Sequence, residues 1–297
     1  MKHLLRNLFL GAFAAAVGVP AGASAQLENG GVYDRARGEI SPGTQAPTRD
    51  ELVNAIRTAA PGRLIAMLEY GELVECHACV PLLEQNLLEH DDAEVRRLSA
   101  WWLRRRPFAI GAIMSRMRST LETDADPERR ARAALAIGEF LDPNGLAPLT
   151  EAAMNDSAEA VRVAAVRALG RLNHPGGNPI LAAALRDSSP EVRRAAIDQV
   201  LKVNFFREHD ALLSALGDTD AQVRMRAARL AGVFELSSAV PVLAGLLRGD
   251  EVREVRQAAA WALGQIGGAD AQSALRESMS AEPDSLVRDA IDIALRM

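Results

Sequence analysis

The residues whose types and spacing could do chemistry are Cys76-His77-Ala78-Cys79. Two thiols separated by two residues can close a disulfide, exchange thiols or help hold a metal. Covalent haem needs a histidine directly after the second cysteine. Val80 stands there, so that use is not supported. A zinc site could recruit His77 and His90, but a single Cys-x-x-Cys without a second pair is a weak ligand set. Thioredoxin-like enzymes place such a pair after a strand, and nothing upstream of Cys76 reads as one. These are the only two cysteines of the chain, so in an oxidising compartment they are expected to bond to each other as a structural staple. The other reading is an enzyme or enzyme accessory that uses Cys76 and Cys79 in thiol redox or cofactor-related, lyase-like chemistry. A helix N-terminus would lower a thiol pKa for that work.

The elements that position this pair belong to a repeat. Arg96, Arg130, Arg162, Arg193, Arg224, Arg256 and Arg288 are spaced by 34, 32, 31, 31, 32 and 32 residues. A steady period of this size marks stacked helix pairs. Three residues after each arginine stand Ser99, Ala133, Ala165, Ala196, Ala227, Ala259 and Ile291. Seven after stand Leu103, Ile137, Leu169, Val200, Ala231, Leu263 and Leu295. With the preceding valine these columns form one apolar stripe at helical spacing. Gly138, Gly170, Gly232 and Gly264 follow, placed to end the helix in the left-handed conformation. Six before the arginine come Asp124, Asp156, Asp187, Asp218 and Asp250, with Glu282 in the last unit. An aspartate there is expected to cap the helix N-terminus. Val80-Pro81-Leu82-Leu83 matches Val240-Pro241-Val242-Leu243, so the cysteines occupy the turn that opens a first helix. The Phe205-Phe206 loop lacks glycine and proline and reads as a less regular step. Trp102 falls on the buried stripe. Trp101 and Trp261, both five past the arginine, are expected at the helix edge and partly exposed. Arg104, Arg105 and Arg106 replace the glycine terminator, and Pro107 is expected to stop the helix.

This pattern resembles the HEAT repeat, in the bacterial form often called the phycobilin-lyase-like HEAT repeat. The resemblance covers about residues 73–297. It implies an all-α solenoid and, from the family, a ladder of bonds between successive repeats made by Asp124, Arg130, Asp156, Arg162, Asp187, Arg193, Asp218, Arg224, Asp250 and Arg256. His90 in place of the first acid and Arg129 in place of a valine depart from the pattern at the N-terminal end. Enzymes exist on this scaffold, but deoxyhypusine hydroxylase uses His-Glu pairs and this chain has none. His90-Asp91 and His209-Asp210 read as turn residues. Phycobilin lyases share the repeat, yet no bilin site is marked here.

Upstream of the repeats, Lys2 and Arg6 precede an apolar run from Leu8 to Val19 and then Ala23-Ser24-Ala25. This order reads as a signal peptide over residues 1–25, cleaved after Ala25, with no membrane span left behind. Cleavage removes two cations and moves the net charge from −5 to −7. The Ala-x-Ala site and the Ala- and Arg-rich composition point to a Gram-negative bacterium, hence a periplasmic or secreted protein. Residues 26–47 read as a flexible arm. Thr48-Arg49-Asp50-Glu51 is a capping box, opening a cap-helix pair over 48–72, and residues 73–297 hold about seven repeats.

Of 34 basic residues only Lys2 and Lys202 are lysines. Ala93 to Leu135 carries ten arginines against five acids, a basic end on an acidic chain. Overall negative charge and export disfavour nucleic acid. The function expected from these features is a binding scaffold for another protein bearing an acidic patch, with no cofactor, no metal and no catalysis of its own. Its contact residues are expected among Arg97, Trp101, Arg104, Arg105, Arg106 and Trp261, because Trp and Arg dominate interface hot spots.

Overall fold

The computed structural model describes residues 46–204 and 206–297, and among them every regular element is helical. The signal sequence and nearly all of the arm read from the sequence lie outside these residues. The described chain divides into two compact units, one ending at Cys79 and one spanning Val80–Met297.

The first unit holds a helical hairpin, α1 (Arg49–Thr58) and α2 (Pro61–Tyr70). Thr48 and Glu51 exchange side-chain and backbone bonds as a full capping box. Pro61 takes the first position of α2, where its missing N–H costs nothing. Leu52, Leu64 and Leu68 are buried. At the end of this unit Cys76 and Cys79 are joined, with their Cα atoms 5.3 Å apart. The Cys79 N–H donates to the Cys76 carbonyl and approaches its Sγ, each at 3.2 Å.

The second unit is a right-order stack of seven helix pairs: α3 (Cys79–Glu89) with α4 (Ala93–Leu103), α5 (Pro107–Thr123) with α6 (Pro127–Phe140), α7 (Leu146–Asn155) with α8 (Glu159–Leu172), α9 (Asn178–Ala184) with α10 (Pro190–Val200), α11 (His209–Ala215) with α12 (Ala221–Val233), α13 (Val240–Gly249) with α14 (Arg253–Ile266), and α15 (Gly268–Ala281) with α16 (Ser285–Leu295). Each second helix packs on the next, from α4 through α16. Their shared stripe is the core. The valine column from Val95 to Val287 and the small column from Ser99 to Ile291 are fully buried wherever those residue types occur. The only side chain as large as tryptophan that is wholly enclosed is Trp102, which plugs the first pair.

The glycine column does a different job from the one its position suggests. Gly138, Gly170, Gly232 and Gly264 lie inside their helices, not at left-handed ends. A Cβ on Gly138 would come within 2.7 Å of the Ala168 Cα, and one on Gly264 within 2.9 Å of the Ala294 Cα. Gly138, Gly232 and Gly264 let neighbouring second helices approach backbone to backbone, while Gly170 makes room for the Gln199 side chain. The left-handed residue comes three later, at Leu141, Asn173, Glu235 and Gly267. Only the last is the type that adopts it without cost.

The acid column is also corrected. Asp124, Asp156 and Asp250 close the first helices, and Glu282 does the same. The N-cap of the second helix is two residues on, at Asp126, Ser189, Asp220 and Asp284. Pro107 likewise does not stop a helix. The helix α4 has already ended at Leu103, and Pro107 opens α5.

Candidate functional site: the ladder and the basic groove

The turns between paired helices carry a repeated construction. In each of five units the reference arginine uses Nη1 and its Nε/Nη2 edge for different partners. Nη1 donates to the carbonyl of its own unit's column acid: Arg130 to Asp124, Arg162 to Asp156, Arg193 to Asp187, Arg224 to Asp218 and Arg256 to Asp250, at 2.8 to 3.0 Å. Nε and Nη2 grip the column acid of the next unit with two bonds each. The pairs are Arg130–Asp156, Arg162–Asp187, Arg193–Asp218, Arg224–Asp250 and Arg256–Glu282, at 2.7 to 3.1 Å. Two parallel charge-assisted bonds fix distance and plane together. The acid's other duty is local, since one oxygen accepts the N–H two residues on, as Asp250 does from Val252 at 2.9 Å. Burial alone would raise Asp156, Asp187 and Asp250, but the arginine and backbone donors outweigh it and hold each below the usual carboxylate range. A second bond crosses the junction between α10 and α12. There Arg194 pairs with Asp220 and brings that carboxyl down to about 2.

The first junction is built differently. Its step is 34 residues, and α5 runs 17 residues where α7 and α13 have 10. Asp124 is taken by Arg129, Nε to Oδ2 at 2.8 Å, and Arg129 also pairs with Glu89. His90 replaces the acid of the first unit and imitates half of it, its Nδ1 accepting the Asp92 N–H at 3.0 Å. Arg96 keeps its Nη1 bonds to the His90 and Asp91 carbonyls. Among the described residues its Nε/Nη2 edge has no carboxylate.

Beside this junction the second helices α4, α6, α8 and α10 line a groove of about 840 Å³. Its charged lining is Arg96, Arg97, Arg132, Arg167, Arg171 and Lys202 against Glu139 and Asp198. Some of these cations are neutralised: Arg97 by Glu94, Arg132 by Glu128 and Arg171 by Glu139. Arg167 and Lys202 are exposed and have no carboxylate partner among the described residues. An acidic chain thus presents a groove of the opposite sign, where the field would draw an anionic partner.

Of the contact residues expected from the sequence, only Arg97 lines this groove. Trp101 is 8 % exposed rather than at an open edge, and the Arg105 guanidinium lies over its ring at 4.3 Å. Arg106 is buried and sits 3.7 Å above the Trp102 ring. Arg104 donates to the Glu139 carbonyl at 3.0 Å. Burial, with Arg105 and Arg171 nearby, holds Arg104 below its usual range. These side chains close the end of α4 by cation–π and backbone contacts. Trp261 is half-buried and close enough to meet any Cβ on Gly232. Sequence reading missed Arg132, Arg167 and Lys202, which stand at different offsets from their reference arginines. Only the stacking of three units brings them together.

Cys76 and Cys79 are both buried. Among the described residues no three His, Cys, Asp or Glu side chains converge to hold a metal, and no helix is long and apolar enough to cross a membrane.

The sequence profile of the HEAT repeats matches residues 114–202 and 209–296. The chain belongs to the HEAT-repeat family. The two matches cover the regular part of the ladder and leave residues 203–208, with the Phe205-Phe206 loop, between them. No curated protein matches the sequence. Among solved structures, YibA of Escherichia coli is similar at 16 % identity, over 91 % of this chain and 98 % of that one, with a TM-score of 0.55. Kap95p, in its complex with RanGDP, is similar at 15 % identity over 80 % of this chain and 35 % of that one, also at 0.55. An archaeal HEAT-like repeat protein from Thermococcus onnurineus NA1 has 17 % identity over 73 % of this chain and 98 % of that one, at 0.48. At these identities the first two likenesses speak for the fold alone.

Proposed function

We propose that this HEAT-repeat chain is an exported scaffold that binds an acidic segment of another protein along the groove of α4, α6, α8 and α10, and makes or breaks no covalent bond. The observation that carries this reading is the sign of the groove. Four more cations than acids line it, on a chain whose net charge is −5. Rigid stacked helices would hold those cations at fixed spacing, so little ordering is needed on binding. Export rests on the leader-like order of charged, apolar and small residues at the N-terminus. The phycobilin-lyase-like subtype rests on the Asp-to-Arg spacing of six. Thiol exchange at Cys76 and Cys79 gains no support, because both sulfurs are buried and an attacking thiol must reach one of them.

The test is a titration of fluorescein-labelled octaglutamate by anisotropy. Saturable binding that weakens as salt rises is expected, with no binding of labelled octalysine. Arg167→Glu with Lys202→Glu should reduce the affinity at least tenfold, as two like charges in a binding groove oppose the ligand. No binding of octaglutamate, or full binding by the double variant, contradicts the proposal.

A further inference from the structure

Arg96 repeats one half of a construction whose other half is closed in five other units. Its Nη1 bonds to His90 and Asp91 match the Nη1 bonds of Arg130, Arg162, Arg193, Arg224 and Arg256. In those five, the Nε/Nη2 edge is filled by the next unit's carboxylate. At Arg96 that carboxylate would come from Asp124, which Arg129 holds instead. Arg96 therefore presents a planar two-donor edge already oriented by its backbone bonds. It lines the groove together with Arg132. The Arg132 Nε is buried and has no hydrogen-bond partner, a costly state for a charged donor. Burial first, and then the charge of Arg132, push the Arg96 guanidinium below its usual range. An anion at this point would offset both effects by favouring the charged guanidinium. Arg288 also shows only carbonyl bonds among the described residues, but it is not part of the lining of this groove.

We infer that a carboxylate side chain of the acidic partner enters the groove at Arg96 and Arg132 and serves as the missing rung, gripped by the Arg96 Nε/Nη2 edge as Asp250 is gripped by Arg224. The inference rests on the acidic-segment reading and adds the anchor point within it. The partner's chemistry is then an extended peptide bearing glutamate or aspartate, with one carboxylate held by two parallel bonds and the rest steered by Arg167 and Lys202. A planar fork prefers a carboxylate to a point contact, so charge alone would not reproduce the grip.

The experiment uses the full chain and labelled octaglutamate. Arg96→Gln is expected to weaken binding about tenfold or more, the usual size for loss of a charge-assisted pair. Arg96→Lys keeps the charge and removes the fork, and is expected to recover less than half of that loss in logarithmic affinity. Arg118→Gln removes one cation from α5, outside the groove lining, and is expected to stay within about twofold, as a distant screened charge should. Melting curves of all three variants are recorded first. Wild-type affinity in Arg96→Lys overturns the two-bond grip, and equal losses in Arg96→Gln and Arg118→Gln overturn the anchor. If Arg96→Gln binds like wild type while the Arg167→Glu, Lys202→Glu protein does not bind, the anchor falls and the acidic-segment reading stands. If wild-type protein ignores octaglutamate, both fall.

Discussion

The junction between the first two repeats and the junctions after it are made from the same residue types with opposite results. From Arg130 to Glu282 every rung closes within the chain, and the side chains concerned are largely shielded, with Asp250 at 4 % and Arg224 at 12 % exposure. At the first junction, where α5 is longer, Arg129 of the same unit takes the Asp124 carboxylate, and the Arg96 fork is left without a carboxylate among the described residues. Arg97 stands where Arg194 stands, and each pairs with the glutamate three residues before it, while Arg194 also reaches Asp220 across its junction. An arginine of this column is therefore closed into the stack or left with an open fork according to register, and its residue type does not decide which.

The largest effect that would break this contrast lies in the closed part. Arg224→Ala strands the buried Asp250 carboxylate and frees the Asp218 carbonyl. It should destabilise the protein by about 2 to 4 kcal/mol. Urea unfolding at pH 7 measures this, and an unchanged midpoint would show that the rungs hold nothing.

A middle-sized effect sharpens the contrast through pH. Asp220 is held near 2 by Arg194, against an ordinary 3.8. Its folded-state value is depressed, so its contribution is whole above about pH 4 and is lost as pH falls from there toward 2. Asp156, Asp187 and Asp250 shift in the same direction. Melting temperature should therefore drop across that window, and Asp220→Asn should drop less steeply than wild type. Parallel curves would remove Asp220 from the account.

The smallest effect lies outside every junction. Cys76 and Cys79 enclose so short a loop that opening it costs about 2 kcal/mol at most. Cys76→Ala with Cys79→Ala should stay folded and keep its affinity for octaglutamate. Loss of the helical circular dichroism signal on this substitution would mean the bridge is more than a local staple.

Much of this molecule could be read before its coordinates. The 31- to 32-residue period fixes seven helix pairs, since neither helix of a pair can bury its stripe alone. The Asp and Arg columns were visible, but their work was not. A column acid two residues before a helix start can be an N-cap or the end of the preceding helix, and only the turn geometry separates the two. The glycines looked like terminators because they stand near helix ends. Their cause is a neighbouring helix about 30 residues away, which no local pattern carries. Trp101 was expected at an open edge because a helical wheel does not show Arg105 folding over it. The groove escaped notice for a related reason: Arg96, Arg132, Arg167 and Lys202 share no common offset. The 34-residue first step and Arg129 were the signals that could have led there.

The contrast turns on the Nε/Nη2 edge of Arg224 being filled by Asp250 and that of Arg96 having no carboxylate within the described chain. Thermal melts of Arg96→Ala and Arg224→Ala, recorded side by side without ligand, test it most directly. A fall of several degrees is expected for Arg224→Ala, at about 2 to 4 °C per kcal/mol for a chain of this size, and a clearly smaller fall for Arg96→Ala, which gives up two carbonyl bonds, one of them part-buried, but strands no carboxylate. Equal falls in the two variants would mean that the first junction is closed like the others, and would contradict it.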